Sequence, residues 1–190
     1  YEYLDLLSTS QCVVLPYTEG TNSGIPSTAM TLGTDAICSD ISLFKNNQLI
    51  SKDLLFCSGD SINLAEVMEH YYTKNKLFGN KPINWSLIEK YRKSFSRELL
   101  QIYNIDAEKI VIFKNGVELT HINNCINSSD LKRSQLGFDE DDLVLITVNR
   151  LDKSKRIDLL IKTLKILVND GYSNIKLIII GSGPEEAHIK

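Results

Sequence analysis

The chain is short of most features that would assign it quickly. No apolar run approaches the roughly 18–20 residues of a membrane-spanning helix. The longest are Leu143–Val148 and Leu177–Ile180. The first thirty residues carry no basic segment followed by an apolar one, so no secretory signal is visible. There is no excess of positive charge either. Lys and Arg number 21 against 24 Asp and Glu, a net charge of −3, which argues against nucleic acid as a partner and makes any anion site a local one. Internal repeats and low-complexity tracts are absent. The three histidines, His70, His121 and His188, stand apart in sequence, and isolated histidines are more often structural or exposed than catalytic. The four cysteines have no zinc-finger spacing. Cys12, Cys38 and Cys57 lie within apolar runs, where a thiol acts as a small buried hydrophobe, so these and Cys125 read as reduced thiols of a cytoplasmic protein. Two glycosylation sequons, Asn84-Trp85-Ser86 and Asn127-Ser128-Ser129, are chance matches in that setting.

What remains is 190 residues, 43% apolar and 24% charged, an ordinary composition for one globular domain. Short apolar runs alternate with helical patterns, as in a parallel sheet buried on both faces. The expected strands are Cys12–Leu15, Ala36–Cys38, Leu54–Cys57, Ile110–Phe113, Leu143–Val148 and Ile175–Ile180. A helix is expected over Arg156–Asn169, with Ile157, Leu160, Ile161, Leu164 and Val168 inward and Asp170-Gly171 as its stop. A second is expected over Ser61–Tyr72, capped by Asp60 or Ser61 and burying Ile62, Leu64, Ala65 and Met68. A third runs from about Ser86 to Tyr103 behind an Asn84 cap, with Trp85 and Tyr91 as packing residues. Tyr72–Pro82 and His121–Ser129 read as surface connections. The fold class is therefore α/β, a Rossmann-like parallel sheet with helices on both faces, and binding is expected where loops leave the carboxyl ends of the strands.

Three such loops stand out. After Leu143–Val148 comes Asn149-Arg150-Leu151-Asp152-Lys153-Ser154-Lys155-Arg156, with four cations in seven positions. It sits between a strand end and a helix start, where backbone N–H groups and the helix dipole favour an anion. A diphosphate suits it, because Arg grips two oxygens and Lys adds a compact charge. A solvated basic loop is the alternative. After Cys12–Leu15 comes a loop with Glu19, Gly20, Thr21, Asn22, Ser23 and Gly24. Its glycines permit close backbone approach, its polar side chains supply donors, and Glu19 is placed to meet a sugar hydroxyl. An ordinary glycine-rich turn reads the same way. After Ile175–Ile180 comes Gly181-Ser182-Gly183-Pro184-Glu185-Glu186, a poor dinucleotide fingerprint with Glu186 at the third glycine position. The acidic run Asp139–Asp142 precedes its strand, lies at the opposite edge, and reads as a solvated strand entry.

These loops resemble motifs of the retaining glycosyltransferases of the family 4 type, the group 1 glycosyl transferases with the two-lobed GT-B fold. Asn115-Gly116-Val117-Glu118-Leu119 resembles the family's N-G-V-D turn. Arg150-Leu151-Asp152, Lys155 and Asp158-Leu159-Leu160 resemble G-R-L-x-x-x-K-G-x-D-L-L, whose Arg and Lys bind the donor diphosphate. Gly181-Ser182-Gly183-Pro184-Glu185 resembles G-D/S-G-P-E. Leu15-Pro16-Tyr17-Thr18-Glu19-Gly20, Ala29-Met30-Thr31-Leu32-Gly33 and Ser39-Asp40 resemble L-P-S-x-x-E-G, E-A-M-A-x-G and S/T-D. Asn149 and Arg156 stand where the family has glycine. The second glutamate of its E-x7-E pair is missing, with Ser27 or Thr28 in its place.

The resemblance implies the nucleotide-sugar-binding lobe, the C-terminal lobe of such an enzyme. Glu19, Arg150 and Lys155 would be its catalytic residues. Gly20, Thr21, Asn22, Ser23, Gly24, Asn149, Gly181 and Gly183 would be its substrate-binding residues, with no metal and no further cofactor. The donor would be a nucleotide-diphosphate sugar. A glycan or lipid-linked acceptor would need an acceptor lobe whose motifs are not found, so this segment is expected to bind donor without transferring by itself. Peripheral membrane association of a larger protein is compatible with that role. A Rossmann-like module that binds a nucleotide or a protein partner without chemistry is the alternative.

The motifs run in permuted order. Residues 1–104 hold the late half of the lobe, family strands 4 to 6, and 105–190 the early half, strands 1 and 2, with edge strand 3 lacking a candidate. The halves could close one lobe with strand order 2-1-4-5-6, or belong to tandem modules or a fragment. A single lobe is favoured because separate half-sheets would expose edges and apolar faces.

Overall fold

A computed structural model describes residues 2–20, 23–74 and 119–189. Helix α1 (Glu2–Thr9) leads into strand β1 (Cys12–Leu15), and α2 (Ile25–Thr31), β2 (Asp35–Ser39), α3 (Ser42–Lys45), β3 (Leu55–Phe56) and α4 (Ser61–Lys74) follow. Beyond residue 118 come α5 (Leu119–Asn127), α6 (Ser129–Gln135), β4 (Leu143–Val148), α7 (Ile157–Asn169), β5 (Ile175–Ile180) and α8 (Glu186–Ile189). The expected strand Ile110–Phe113, the helix from Ser86 to Tyr103 with Asn84, Trp85 and Tyr91, and the Asn115–Glu118 turn lie outside the described residues.

All five strands form one parallel sheet in the order β3-β2-β1-β4-β5, so strands from both ends of the sequence share it. The junction is β1 with β4, Cys12 opposite Leu145 and Val13 opposite Ile146. Each central strand is buried on both faces, which explains its unbroken apolar sequence. Cys12, Val14, Ile37, Leu143 and Leu145 pack under α4 and α7. Val13, Leu15, Ala36, Cys38 and Ile146 point the other way, toward Leu7, Ala29, Leu32, Phe44 and Cys125. Burying each such Val, Leu or Ile contributes about 1.5–3 kcal/mol. This is the α/β Rossmann-like architecture anticipated from the apolar runs.

Several local expectations are corrected. Leu54–Cys57 shortens to two residues behind a 3-10 turn, Lys52–Leu54, which leaves Cys57 exposed beyond the strand end while Cys12, Cys38 and Cys125 are buried. His121–Ser129 is largely helix α5, anchored by Cys125, rather than a connection. In α7 the buried face is Ile157, Leu159, Leu160, Thr163 and Leu167, whereas Ile161 and Val168 are exposed. Thr163 belongs inside because its hydroxyl donates to the Ser61 carbonyl at 3.2 Å. In α4, Ile62 is exposed and Tyr71 is buried in its stead, its hydroxyl donating to the Gln11 carbonyl at 2.8 Å. Asp60 caps α4 as expected, its carboxylate accepting from the Ile62 and Asn63 N–H groups. Asp142 is not solvated. It is buried, accepts from the Asp139 N–H at 2.9 Å and lies 3.6 Å from Lys176 Nζ.

The amino edge of the sheet is tied by one side chain. Arg133 of α6 donates to the carbonyls of Thr9 (3.0 Å), Asp139 (3.0 Å) and Asp142 (2.9 Å) and to Gln11 Oε1 (3.2 Å). Thr9 and Asp142 are buried, so these carbonyls have little access to water as a substitute. Arg133→Ala should therefore destabilise the protein by about 2–3 kcal/mol. Urea denaturation reads this directly, and a loss below about 0.5 kcal/mol, typical of neutral surface changes, would show that the tie is dispensable.

Candidate functional site

Parallel strands deliver all their carboxyl ends to one edge, and there the five following loops meet. The loop after β1 is fastened to the loop after β4: the Thr18 N–H donates to the Ser154 carbonyl at 2.9 Å and the Thr18 hydroxyl to the same oxygen at 3.3 Å. The Tyr17 carbonyl accepts from the hydroxyls of Ser39, at the end of β2, and of Ser58, beyond β3. Asp40 accepts from the Ser58 N–H at 3.0 Å and from Lys45 at 3.2 Å, and the Ser58 bond first, then Lys45, holds its carboxyl below the usual carboxylate range.

The basic loop is ordered by its own acids. The Asp152 carboxylate accepts from the Ser154 N–H at 3.0 Å and hydroxyl at 2.6 Å, starting the 3-10 turn Lys153–Lys155. The Ser154 hydroxyl is the main reason its carboxyl lies below the normal range. Arg156 then takes φ 50° and ψ 46°, the left-handed conformation, and starts α7. It is the one non-glycine residue with positive φ among the described residues. The glycine that the motif pattern carries here now has a physical meaning: the backbone needs the left-handed turn, and Arg adopts it at a cost of about 1–2 kcal/mol. Its guanidinium grips Asp158 with two bonds, 3.0 and 3.1 Å.

Of the four cations, Arg156 alone forms an ion pair among the described residues. Arg150 and Lys153 are exposed. Lys155 is half-buried, with its ammonium 3.6 Å from the centroid of the Tyr17 ring. Tyr17 is buried, packs on Phe44 at 5.4 Å between centroids, and has its hydroxyl near Ser23. Burial pushes its phenol up to about 12. The Lys155 charge also helps to hold the Asp152 carboxyl down, without an ion pair between them. The edge therefore carries cations beside and above a neutral aromatic ring, an arrangement suited to phosphate oxygens.

The remaining expected residues fall into three groups. Glu19 and Gly20 are exposed on the loop after β1, and Ser23 and Gly24 lead into α2. Thr21 and Asn22 lie outside the described residues. Ser27 and Thr28, in the place of the motif's second glutamate, turn back to the Gly24 carbonyl. Asn149 donates to the Thr147 hydroxyl at 2.7 Å, and its buried Oδ1 has no hydrogen-bond partner among the described residues. Gly181 and Gly183 have a structural reason that needs no ligand. A Cβ on Gly181, at φ 149°, would fall on the Asn149 carbonyl oxygen, and one on Gly183 would strike the Leu151 carbonyl. The third loop is laced to the second by Leu151 N–H to Ser182 O and Glu185 N–H to Leu151 O, both 3.0 Å. Sequence reasoning missed Tyr17 as an individual. Its one signal is an aromatic residue where the L-P-S pattern has serine.

No described helix is long and apolar enough to cross a membrane, and the described residues contain no group of three or more His, Cys, Asp or Glu able to hold a metal. Beside the site, a cleft of about 480 Å³ lies between Asp152, Arg156, Ile161, Glu185 and His188.

Residues 128–190 match the family model described as Glycosyl transferases group 1. The match spans α6 to α8 and contains Asn149, Arg150, Lys155, Gly181 and Gly183. No curated protein and no solved structure matches the chain.

Two substitutions test this geometry. Arg156→Gly should raise stability by about 1 kcal/mol, because relief of the left-handed strain outweighs a half-exposed ion pair. Gly183→Ala should cost upwards of about 3 kcal/mol by forcing the two loops apart. Thermal denaturation distinguishes both, and an Arg156→Gly protein that melts lower would contradict the strain argument.

Proposed function

We propose that this chain provides the nucleotide-diphosphate-sugar-binding lobe of a retaining, GT-B-type glycosyltransferase of the family 4 kind. The observation that carries the reading is the loop Asn149–Arg156. It lies inside the segment matching the group 1 glycosyl transferases, leaves the carboxyl end of a central strand, and holds Arg150 exposed and Lys155 outside ion-pair distance of any described carboxylate, with Asp152 near enough to feel the Lys155 charge.

In the proposed reaction the bond between the donor sugar's anomeric carbon and the diphosphate oxygen breaks, and the sugar passes to an acceptor hydroxyl of a glycan or lipid-linked chain. Negative charge grows on the departing diphosphate. Arg150 and Lys155 stabilise it, and preorganised charge of this kind is commonly the largest catalytic contribution. Glu19 accepts from a hydroxyl of the donor sugar and orients it. The backbone at Gly20, Ser23 and Gly24 lines the donor from the neighbouring loop. Asn149, Gly181 and Gly183 shape the floor by holding the β4 and β5 loops together. With two cations on the leaving group, the proposal requires no metal. The acceptor would be presented by a second lobe.

Calorimetry and thermal shift with UDP-, GDP- and ADP-sugars test the reading. A donor at about 100 times its Kd should stabilise the protein by about 2.7 kcal/mol. Combined Arg150→Ala and Lys155→Ala should abolish that gain. No response to any sugar nucleotide, or an equal response in the double variant, overturns the assignment, and NAD binding indifferent to both residues points to a non-catalytic nucleotide module.

A further inference from the structure

We propose that Tyr17 is the positioning residue of the anion site: its ring fixes the Lys155 ammonium at the carboxyl edge of the sheet while leaving the charge available to a ligand. The proposal rests on the reading of this edge as a diphosphate site. A lysine is among the most rotamer-rich side chains, and an exposed one is spread over many positions. A carboxylate partner would fix it but also cancel its field. An aromatic face fixes an ammonium through the ring quadrupole and carries no net charge of its own. Lys155 has this second arrangement, 3.6 Å above the Tyr17 ring, and Asp152 lies near enough to feel its charge without forming an ion pair with it.

Tyr17 is itself held from every side. It is 3% exposed, its ring packs on Phe44, and its hydroxyl lies near Ser23. Its carbonyl accepts from Ser39 and Ser58, and its neighbour Thr18 is bonded to Ser154, next to Lys155. One residue thus sets the distance between the glycine-bearing loop and the basic loop. Burial keeps the phenol neutral at physiological pH, so the contact is with a ring and not a phenolate.

Titration calorimetry with inorganic pyrophosphate and with the best-binding sugar nucleotide tests the role. The proteins are wild type, Tyr17→Phe, Tyr17→Leu, Lys155→Ala and the Tyr17→Leu/Lys155→Ala pair. Tyr17→Leu should weaken pyrophosphate binding about fivefold, from loss of an exposed-to-desolvated cation–π contact. Tyr17→Phe, which keeps the face, should restore most of it. In the Lys155→Ala background Tyr17→Leu should have no further effect. Equal binding by Tyr17→Leu and wild type, or an equal loss with and without Lys155, would reduce the ring to packing and overturn the proposal. Should Tyr17→Leu not fold, the Lys155 ε-methylene protons of wild type and Tyr17→Phe decide by NMR. They must be displaced upfield by the ring, and undisplaced signals overturn the proposal. Pyrophosphate binding with this pattern but no sugar-nucleotide binding upholds Tyr17 and defeats the donor reading. Binding of neither ligand defeats both.

Discussion

Everything at the candidate site depends on the parallel pairing of β1 with β4. Cys12 and Val13 lie beside Leu145 and Ile146, residues more than a hundred positions away in the chain. Because the strands are parallel, both end at the same edge, and the loop carrying Glu19 is brought against the loop carrying Lys155. An antiparallel junction would send the two loops to opposite ends of the sheet. The pairing is secured from both faces. Val13 and Ile146 share one core, Cys12 and Leu145 the other, so a one-residue slip would exchange the two sets of side chains. The permuted motif order is compatible with a single sheet for that reason: β1 and β4 need only be neighbours in space.

The strands were legible because a strand buried on both faces has no polar alternation, and Cys12–Leu15, Leu143–Val148 and Ile175–Ile180 have the bounds expected of them. Helix faces were less legible. In α7 the sequence pattern selects Ile161 and Val168, yet the helix buries Thr163 and Leu167. A hydroxyl satisfied by the Ser61 carbonyl of α4 is as good a core group as a methyl, but the partner lies 102 residues away and leaves no local trace. Helix α5 was hidden for a similar reason. Its polar composition, HINNCIN, reads as a loop until Cys125 finds its place in the core.

The glycines show a different limit. Gly181 and Gly183 satisfy the pattern of a phosphate cradle, and the same two positions satisfy a steric requirement, since either Cβ would collide with the backbone of Asn149 or Leu151. Close approach of two backbones and close approach of a backbone to a phosphate demand the same residue, so sequence alone does not separate them. Arg156 makes the converse point. A backbone that needs the left-handed region normally selects glycine, and a departure from glycine is readable as a substitution but not as retained strain. Only the φ of 50° shows that Arg156 holds the backbone a glycine would hold without strain.

The charges of the basic loop follow from how its acids are used. The two nearest carboxylates in sequence are Asp152 and Asp158. Asp152 spends its oxygen on the Ser154 N–H and hydroxyl, and Asp158 bonds Arg156 and faces Lys162 at 3.6 Å. Both acids thereby shape the backbone of the loop and the first turn of α7, and the Lys155 ammonium acts on Asp152 only through its charge, with no ion pair between them. The fold supplies Lys155 with a ring where a carboxylate would have stabilised it more, and it leaves Arg150 in solvent. An anion bound there would meet both cations and would draw together the loops that Tyr17 and Thr18 already join. Only the left-handed backbone of Arg156 is a cost; the bonds of Asp152 and Asp158 and the ring under Lys155 are favourable contacts, and together they fix the geometry of this edge from within the chain.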